Sequence, residues 1–351
     1  MRHARIAAGA AALAACAPEP LVTTSAVPAA TVSVTAVAQT SPVGTANADA
    51  ADDPAIWRNP RKPANSLIVA TDKKAGLYVY GLDGQVRSFE SAGLLNNVDL
   101  IDLGRRGILV AASDRNDIAA AKIRIYRLDP AAARLTAVGT VSGGAGEGYG
   151  LCLARAPGGA IDAFSVLKQG IIEHVRLRFA GSAVTGATVR RLSVPTQPEG
   201  CVVDERTGHL FVGEERAGIW RFDARADAGT AGTLVARVDG RHLTADVEGL
   251  ALAPAGRSGG FLVASSQGDN AYAVFRLPDM LPAGRFRIAA GRLGATEETD
   301  GIALALGNFG PAFPGGLFVA QDGVNAPAAQ NFKMVSWRDT LRALTPSSRN
   351  R

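Results

Sequence analysis

Two sets of ionisable residues recur at matching points along this chain, and their types limit the chemistry they could do. Asp52 with Asp53, Asp99, Tyr149, Glu199, Glu248 and Asp300 stand at or near the start of a short apolar run. Lys73, Arg115, Lys168, Glu215, Gln267 and Asp322 close the apolar run that follows. If equivalent points lie at one height around a common axis, the two sets meet in a ring. That ring is polarised. Its first half supplies Lys73 with Lys74 beside it, Arg115 and Lys168; its second half supplies Glu199, Glu214, Glu215, Asp246, Glu248, Asp300 and Asp322. Carboxylates this dense repel one another unless a cation lies among them. Oxygen donors without Cys or His select hard cations, chiefly Ca²⁺, which takes several carboxylates in flexible geometry. The neighbouring Lys and Arg suit an anion, Arg offering phosphate a bidentate fork. A metal that clamps a phosphoryl oxygen beside such a pocket makes a hydrolase of phosphate esters. The competing reading is that these charges pair as structural salt bridges between neighbouring units.

The elements that must position these residues come from a repeat. The first run of each unit reads Asp53-Pro-Ala-Ile-Trp57, Asn97-Val-Asp-Leu-Ile101, Tyr149-Gly-Leu-Cys-Leu153, Glu199-Gly-Cys-Val-Val203, Glu248-Gly-Leu-Ala-Leu252 and Asp300-Gly-Ile-Ala-Leu304. Four of the six share a polar residue, Gly and then alternating apolar positions. A second run follows each, from Leu67-Ile-Val-Ala-Thr-Asp-Lys73 in the first unit to Leu317-Phe-Val-Ala-Gln-Asp322 in the last, and then a third, such as Gly76-Leu-Tyr-Val-Tyr80. Alternating β-branched and aromatic residues between Gly, Asp and Pro clusters mark strands. Three or four short strands per unit of roughly 50 residues are the signature of radial blades. The expected fold is all-β, a six-bladed β-propeller over residues 49–340. A β-sandwich does not repeat this regularly, and solenoid repeats are mostly shorter.

The chain of 351 residues is 47% hydrophobic and contains 40 Gly, which suits many strands and tight turns. Its net charge of +5 includes no long basic run, so nothing points to nucleic acid. Arg2, His3 and Arg5 precede a short apolar run, Ile6 to Ala15, that fits the core of an export signal rather than a membrane span. It ends Leu13-Ala14-Ala15-Cys16, similar to a bacterial lipobox in which Cys16 becomes a lipidated N-terminus. The expected division is an export signal over 1–16, a flexible linker over 17–48, the propeller and a tail over 341–351. The expected location is a lipoprotein facing the periplasm or cell surface, otherwise periplasmic or secreted. Membrane contact is expected only through that anchor, and the default state is a monomer. The remaining cysteines, Cys152 and Cys201, read as small buried core residues and not as a bridge.

Longer motifs carry a resemblance. Asp49-Ala-Ala-Asp-Asp-Pro-Ala-Ile-Trp57, Thr71-Asp-Lys-Lys-Ala-Gly-Leu77, Asn96-Asn-Val-Asp-Leu100 and Asp239-Gly-Arg-His-Leu-Thr-Ala-Asp-Val-Glu-Gly249 resemble signatures of the β-propeller phytases. So do Ala264-Ser-Ser-Gln-Gly268, Thr299-Asp-Gly301, Gly316-Leu-Phe-Val-Ala-Gln-Asp-Gly323 and Gln330-Asn-Phe-Lys-Met-Val335, in the right order across all six units. The resemblance implies calcium-dependent removal of phosphate from phytate (inositol hexakisphosphate), or other inositol phosphates as calcium complexes, by a metal-activated water and without a covalent enzyme intermediate. It implies several Ca²⁺ ions, held at the cleavage site by Asp52, Glu199, Glu215, Asp246, Glu248 and Asp300. Phosphate would be bound by Lys73, Arg115, Tyr149 and Lys168, which with Glu215 form the catalytic set. Lys74 would assist the substrate, and Asp322 and Asn325 would sit at further metal positions. Two departures stand out: Gln169 replaces an acid common after the residue matching Lys168, and an acidic metal position falls on Gly294, with Glu297 and Glu298 nearby.

His174, His209 and His242 are scattered and lie in no nucleophile motif, so they read as structural or surface residues. The alternatives are a lactonase-type calcium propeller, which has no need of Lys73, Arg115 and Lys168 together, and a non-catalytic exported binding propeller, which would be expected to have lost some of the six acids.

Overall fold

The run Leu67-Ile-Val-Ala is apolar at four successive positions because its strand is covered on both faces. Leu67 and Val69 enter one hydrophobic cluster, Ile68 and Ala70 another. Side chains of successive strand residues point to opposite faces, so burying both produces a continuous apolar run. The same holds at Leu109 and Ala111 against Val110 and Ala112. A computed structural model describing residues 27–181 and 183–345 shows the consequence. Six clusters lie one between each neighbouring pair of sheets, and the last joins blade six back to blade one. Six sheets, antiparallel but for one outer strand, closed into such a ring are a six-bladed β-propeller, as the repeat predicts.

The innermost strands are Ala51–Trp57, Leu95–Asp102, Gly148–Arg155, Pro198–Asp204, Val247–Ala255 and Ile302–Ala305 for blades one to six. The second strands are Leu67–Asp72, Ile108–Asp114, Ile161–Leu167, His209–Glu214, Gly259–Ser266 and Leu317–Asp322.

Three expectations are corrected. The expected linker 17–48 is not linker throughout. Val32–Thr35 adds a parallel outer strand to blade five against Phe286 to Ala289, and Ala38–Gln39 completes blade six against Lys333 and Met334. Residues from the start of the chain thus close the ring at its last two blades, a closure that composition alone does not encode. The tail does not begin at 341: the helix Trp337–Leu344 is capped by Ser336, and its Leu341 and Leu344 pack on the cluster between blades five and six. The export-like segment and Cys16 fall outside the described residues.

The third correction concerns the cysteines. Cys152 and Cys201 are joined, with Cα atoms 5.7 Å apart, across the innermost strands of blades three and four. Nothing in the local sequence reveals this, because the pair meets only once two blades are stacked side by side. Stable disulfides persist in oxidising environments. The bridge closes a loop of sequence separation 49, for which chain entropy gives a stabilisation of about 4 kcal/mol. Reduction is therefore expected to lower the thermal midpoint while the β-sheet circular dichroism below it stays unchanged. An unchanged midpoint in reductant would show that the bridge contributes nothing.

Candidate active site

The innermost strands of blades one to five each carry one extra residue near their start. In blade one Ala51 pairs with Asp72 and Pro54 with Ala70, three steps against two. The same offset separates Leu95 from Val98, Gly148 from Leu151, Pro198 from Cys201 and Val247 from Leu250. A bulge of this kind re-aims one side chain out of the pleat. The re-aimed positions are Asp52, Asn96, Tyr149, Glu199 and Glu248, and Asp300 enters from the loop before the last inner strand.

The glycine that follows most of these residues has a steric cause. A Cβ on Gly150 would lie 1.9 Å from the Glu199 carbonyl oxygen, and one on Gly200 2.3 Å from that of Glu248. Only glycine lets consecutive inner strands approach this closely. The contacts are sealed by Gly249 N–H donating to the Asp300 carbonyl at 2.9 Å and Gly301 N–H to that of Asp52 at 3.1 Å.

The second strands end in register as well. The amide after each strand, of Lys73, Arg115, Lys168, Glu215, Gln267 and Gly323, donates to a carbonyl just ahead of the facing inner strand, such as Ala50 for Lys73 and Gln197 for Glu215. This alignment corrects two sequence assignments. Asp322 lies one residue before the ring position, which Gly323 occupies, and a one-residue slip reverses the facing of a strand side chain. Asp322 accordingly faces away from the acid cluster and pairs with the buried Lys333 at 2.9 Å, as Asn325 does at 2.8 Å. Glu214 is its counterpart in blade four, spent on Thr196 and Trp220. Asp99 is not the ring residue of blade two either. It accepts the amides of Leu153 and Leu100 in the other mouth of the axial channel. Asn96 takes that place and donates to Glu199 Oε1 at 2.9 Å. Sequence reasoning missed Asn96 and Gln197 as site residues; the start of the Asn-Asn-Val-Asp motif was the available signal for the first.

The ring opens into a cavity of about 1120 Å³ bordered by Lys73, Tyr149, Glu199, Glu215, Asp246, Glu248 and Asp300. Oxygens of Glu199, Glu215 and Glu248 lie within 4.8 Å of one another. Among the described residues, the carboxylate oxygens of the fully buried Asp52, and Oε2 of Glu248, have no hydrogen-bond partner, Lys73 Nζ coming no closer than 3.4 Å to Asp52 Oδ2. Burial pushes Glu199 and Glu248 well above the usual carboxylate range, and the neighbouring acids add to it. Burial likewise raises Asp300, to about 7, against the lowering effect of Lys73. Glu215 is raised by burial, opposed by its hydrogen bond from Gln197. Buried oxygens left without donors, in an all-oxygen set, fit a hard cation such as Ca²⁺.

The basic residues are placed differently from the simple half-and-half ring. Lys73 is drawn into the acids: its Nζ lies 2.8 Å from Asp49, 2.8 Å from Asp300 and 3.4 Å from Asp52. Burial alone would lower its ammonium, but these carboxylates outweigh that and raise it. Arg115 and Lys168 lie 5.9 and 5.0 Å from the centre of the Tyr149 ring, and Arg115 also meets Glu147 at 3.4 Å. Lys74 is exposed. Gln169 reaches the Ala145 carbonyl and not the cavity. Glu298 borders the cavity, while the Glu297 amide donates to Asp322. His174 is buried against Asp162, and His242 bonds Asp239, both away from the cavity.

Comparison with known proteins adds an independent line. The family described as Phytase matches residues 3–348. The 3-phytase of Bacillus subtilis (strain 168) is 39% identical over 327 residues, spanning 89% of this chain and 85% of that one. Among solved structures, a chain of the BBS1N–ARL6DN complex soaked with mercury superposes with a TM-score of 0.46 at 11% identity over 77% of this chain and 75% of its own.

Proposed function

We propose, since this chain belongs to the phytase family, that its enzymatic reaction is calcium-dependent removal of phosphate from phytate at the axial carboxylate cluster. The observation that carries the calcium part is the set of buried oxygens on Asp52 and Glu248 that have no hydrogen-bond partner among the described residues, beside Glu199 and Glu215. Asp52, Glu199, Glu215, Asp246, Glu248 and Asp300 are the residues that would hold Ca²⁺. When bound, the cation would neutralise the acids and polarise a phosphoryl oxygen.

The chain's own groups supply the rest. Lys168 and Arg115, both close to the Tyr149 ring, offer an ammonium and a guanidinium fork to phosphate oxygens at the cavity edge. The Tyr149 hydroxyl is held protonated, because burial and the nearby Glu199 and Glu248 raise it, so it donates to a phosphate oxygen and takes no proton. Gln197 holds Oε1 of Glu215, which leaves Oε2 to accept a proton from an attacking water. Lys73 counters the acids in the metal-free protein, and becomes available to a phosphate oxygen once another cation shares that task.

The test is phosphate release from sodium phytate, in Ca²⁺ and in excess chelator, across pH 5 to 8. Release is expected only with Ca²⁺, and at limiting Ca²⁺ it is expected to rise with pH through about 7. Protons compete with the cation for Glu199, Glu248 and Asp300, the last titrating at about 7 without metal. The stability sign is the reverse. A carboxylate raised on folding stabilises fully below its unfolded value of about 4 and loses that contribution as pH rises through the folded value. The metal-free protein is thus expected to weaken as pH climbs from about 4 past 7, and Ca²⁺ to restore it. Equal release in chelator would overturn the calcium assignment; no release under any condition would overturn the phytate assignment.

A further inference from the structure

We infer that Lys333 acts as a built-in cation, positioning the blade-six wall of the cavity where sequence reasoning had placed a bound metal. Lys333 is fully buried on the third strand of blade six, Asn331–Ser336. An ammonium has three N–H donors and no acceptor. Three side-chain oxygens meet it: Asp322 Oδ2 at 2.9 Å, Asn325 Oδ1 at 2.8 Å and Asn331 Oδ1 at 2.9 Å. Its donors are therefore all used. Ca²⁺ needs six to eight oxygens, and the oxygens here are already directed at a nitrogen. Gly294 comes beside the ammonium, where a Cβ would sit 3.8 Å from Nζ, and it offers no side-chain oxygen. Asp322 and Asn325 thus do not fit a metal in this chain.

What the ammonium anchors is the segment 323–330, much of which borders the cavity. Oδ1 of Asp322 accepts the amides of Val324 and Asn325 at 3.3 and 3.4 Å. Asn325 Nδ2 donates to the Ala329 carbonyl at 2.6 Å, and Gln330 Nε2 to that of Gly323 at 2.6 Å. Gln330 Oε1 then accepts the amides of Ala50 and Ala51 at 2.6 and 2.9 Å, at the start of the strand that carries Asp52. Hydrogen bonds thus run from Lys333 through the wall to the backbone of the strand that carries Asp52. Lys333 touches no substrate; it acts through Asp322 and Asn325.

Hydrogen exchange of the amides of 323–331 in the full chain tests this, and it does not depend on the phytase reading. In the wild-type protein their protection is expected to be the same in excess chelator as in Ca²⁺. In Lys333→Met it is expected to fall by about tenfold or more, the loss of charge-assisted hydrogen bonds, with blades two to four unchanged. The kinetic arm rests on the proposed function: KM for sodium phytate rises by a similar factor while kcat holds. Wild-type protection that collapses on chelation would overturn the inference, since a metal and not Lys333 would then hold the wall. Unchanged exchange in Lys333→Met would overturn it equally. If that variant fails to fold, the Asp322→Asn and Lys333→Met pair removes both charges together and is read in the same way.

Discussion

Replacing Glu199 by glutamine is expected to lower phosphate release from phytate by on the order of 10³-fold, the scale of losing a group that stabilises transition-state charge. Glu199 is the hub of the ring. It is almost fully buried, its oxygens approach those of Glu215 and Glu248, and Asn96 donates to one of them. Glutamine keeps the volume and part of the hydrogen bonding, so the innermost strand of blade four has no reason to move. What it removes is a negative charge that a divalent cation needs. It also removes a source of repulsion, so the metal-free variant is expected to be as stable as the wild type or more so, unlike a variant that breaks a core contact. Steady-state phosphate release together with thermal unfolding in chelator makes the check. Activity within tenfold of wild type would remove Glu199 from the site; lost activity with lost stability would assign it a structural role.

Lys73→Met is expected to do the opposite to stability. In the metal-free protein the Lys73 ammonium is the counter-charge to Asp49, Asp52 and Asp300. Removing one partner of a buried ionic group strands the others, at a cost of about 3–5 kcal/mol. Ca²⁺ supplies the missing charge, so most of this loss is expected to disappear when it is added. Denaturant unfolding with and without Ca²⁺ measures the difference. An equal loss under both conditions would show that Lys73 acts by packing alone. Activity is expected to fall as well, since a methionine offers nothing to a phosphate oxygen.

Much of this site was legible before any coordinates. The repeat of polar residue, Gly and apolar alternation located the inner strands, and Glu199, Glu248 and Asp300 were picked from it because equivalent repeat positions share a height around an axis. Lys73 and Glu215 were found in the same way, from the ends of the second strands. Repeat reading failed where one residue matters. Asp322 was counted as a ring residue because blade six ends on an acid, yet backbone pairing puts Gly323 at that point. Asp99 stands near the start of the second unit's first run, but the bulge between Leu95 and Val98 selects Asn96.

The chain by itself determined the blade number, the polar-Gly pattern that draws the inner strands together, and the concentration of acids in the later blades. These are properties of local pattern, repeated often enough to be read without knowing which blade touches which. Only the tertiary structure decided the contacts between distant residues. It joined Cys152 to Cys201, carried Val32–Thr35 and Ala38–Gln39 round to blades five and six, set Lys73 among carboxylates of blades one and six, and enclosed Lys333 in oxygens from its own blade. The physical reason is that strand period and propensity act over a few residues, whereas charge pairing and disulfide formation depend on distances that exist only after the ring has closed.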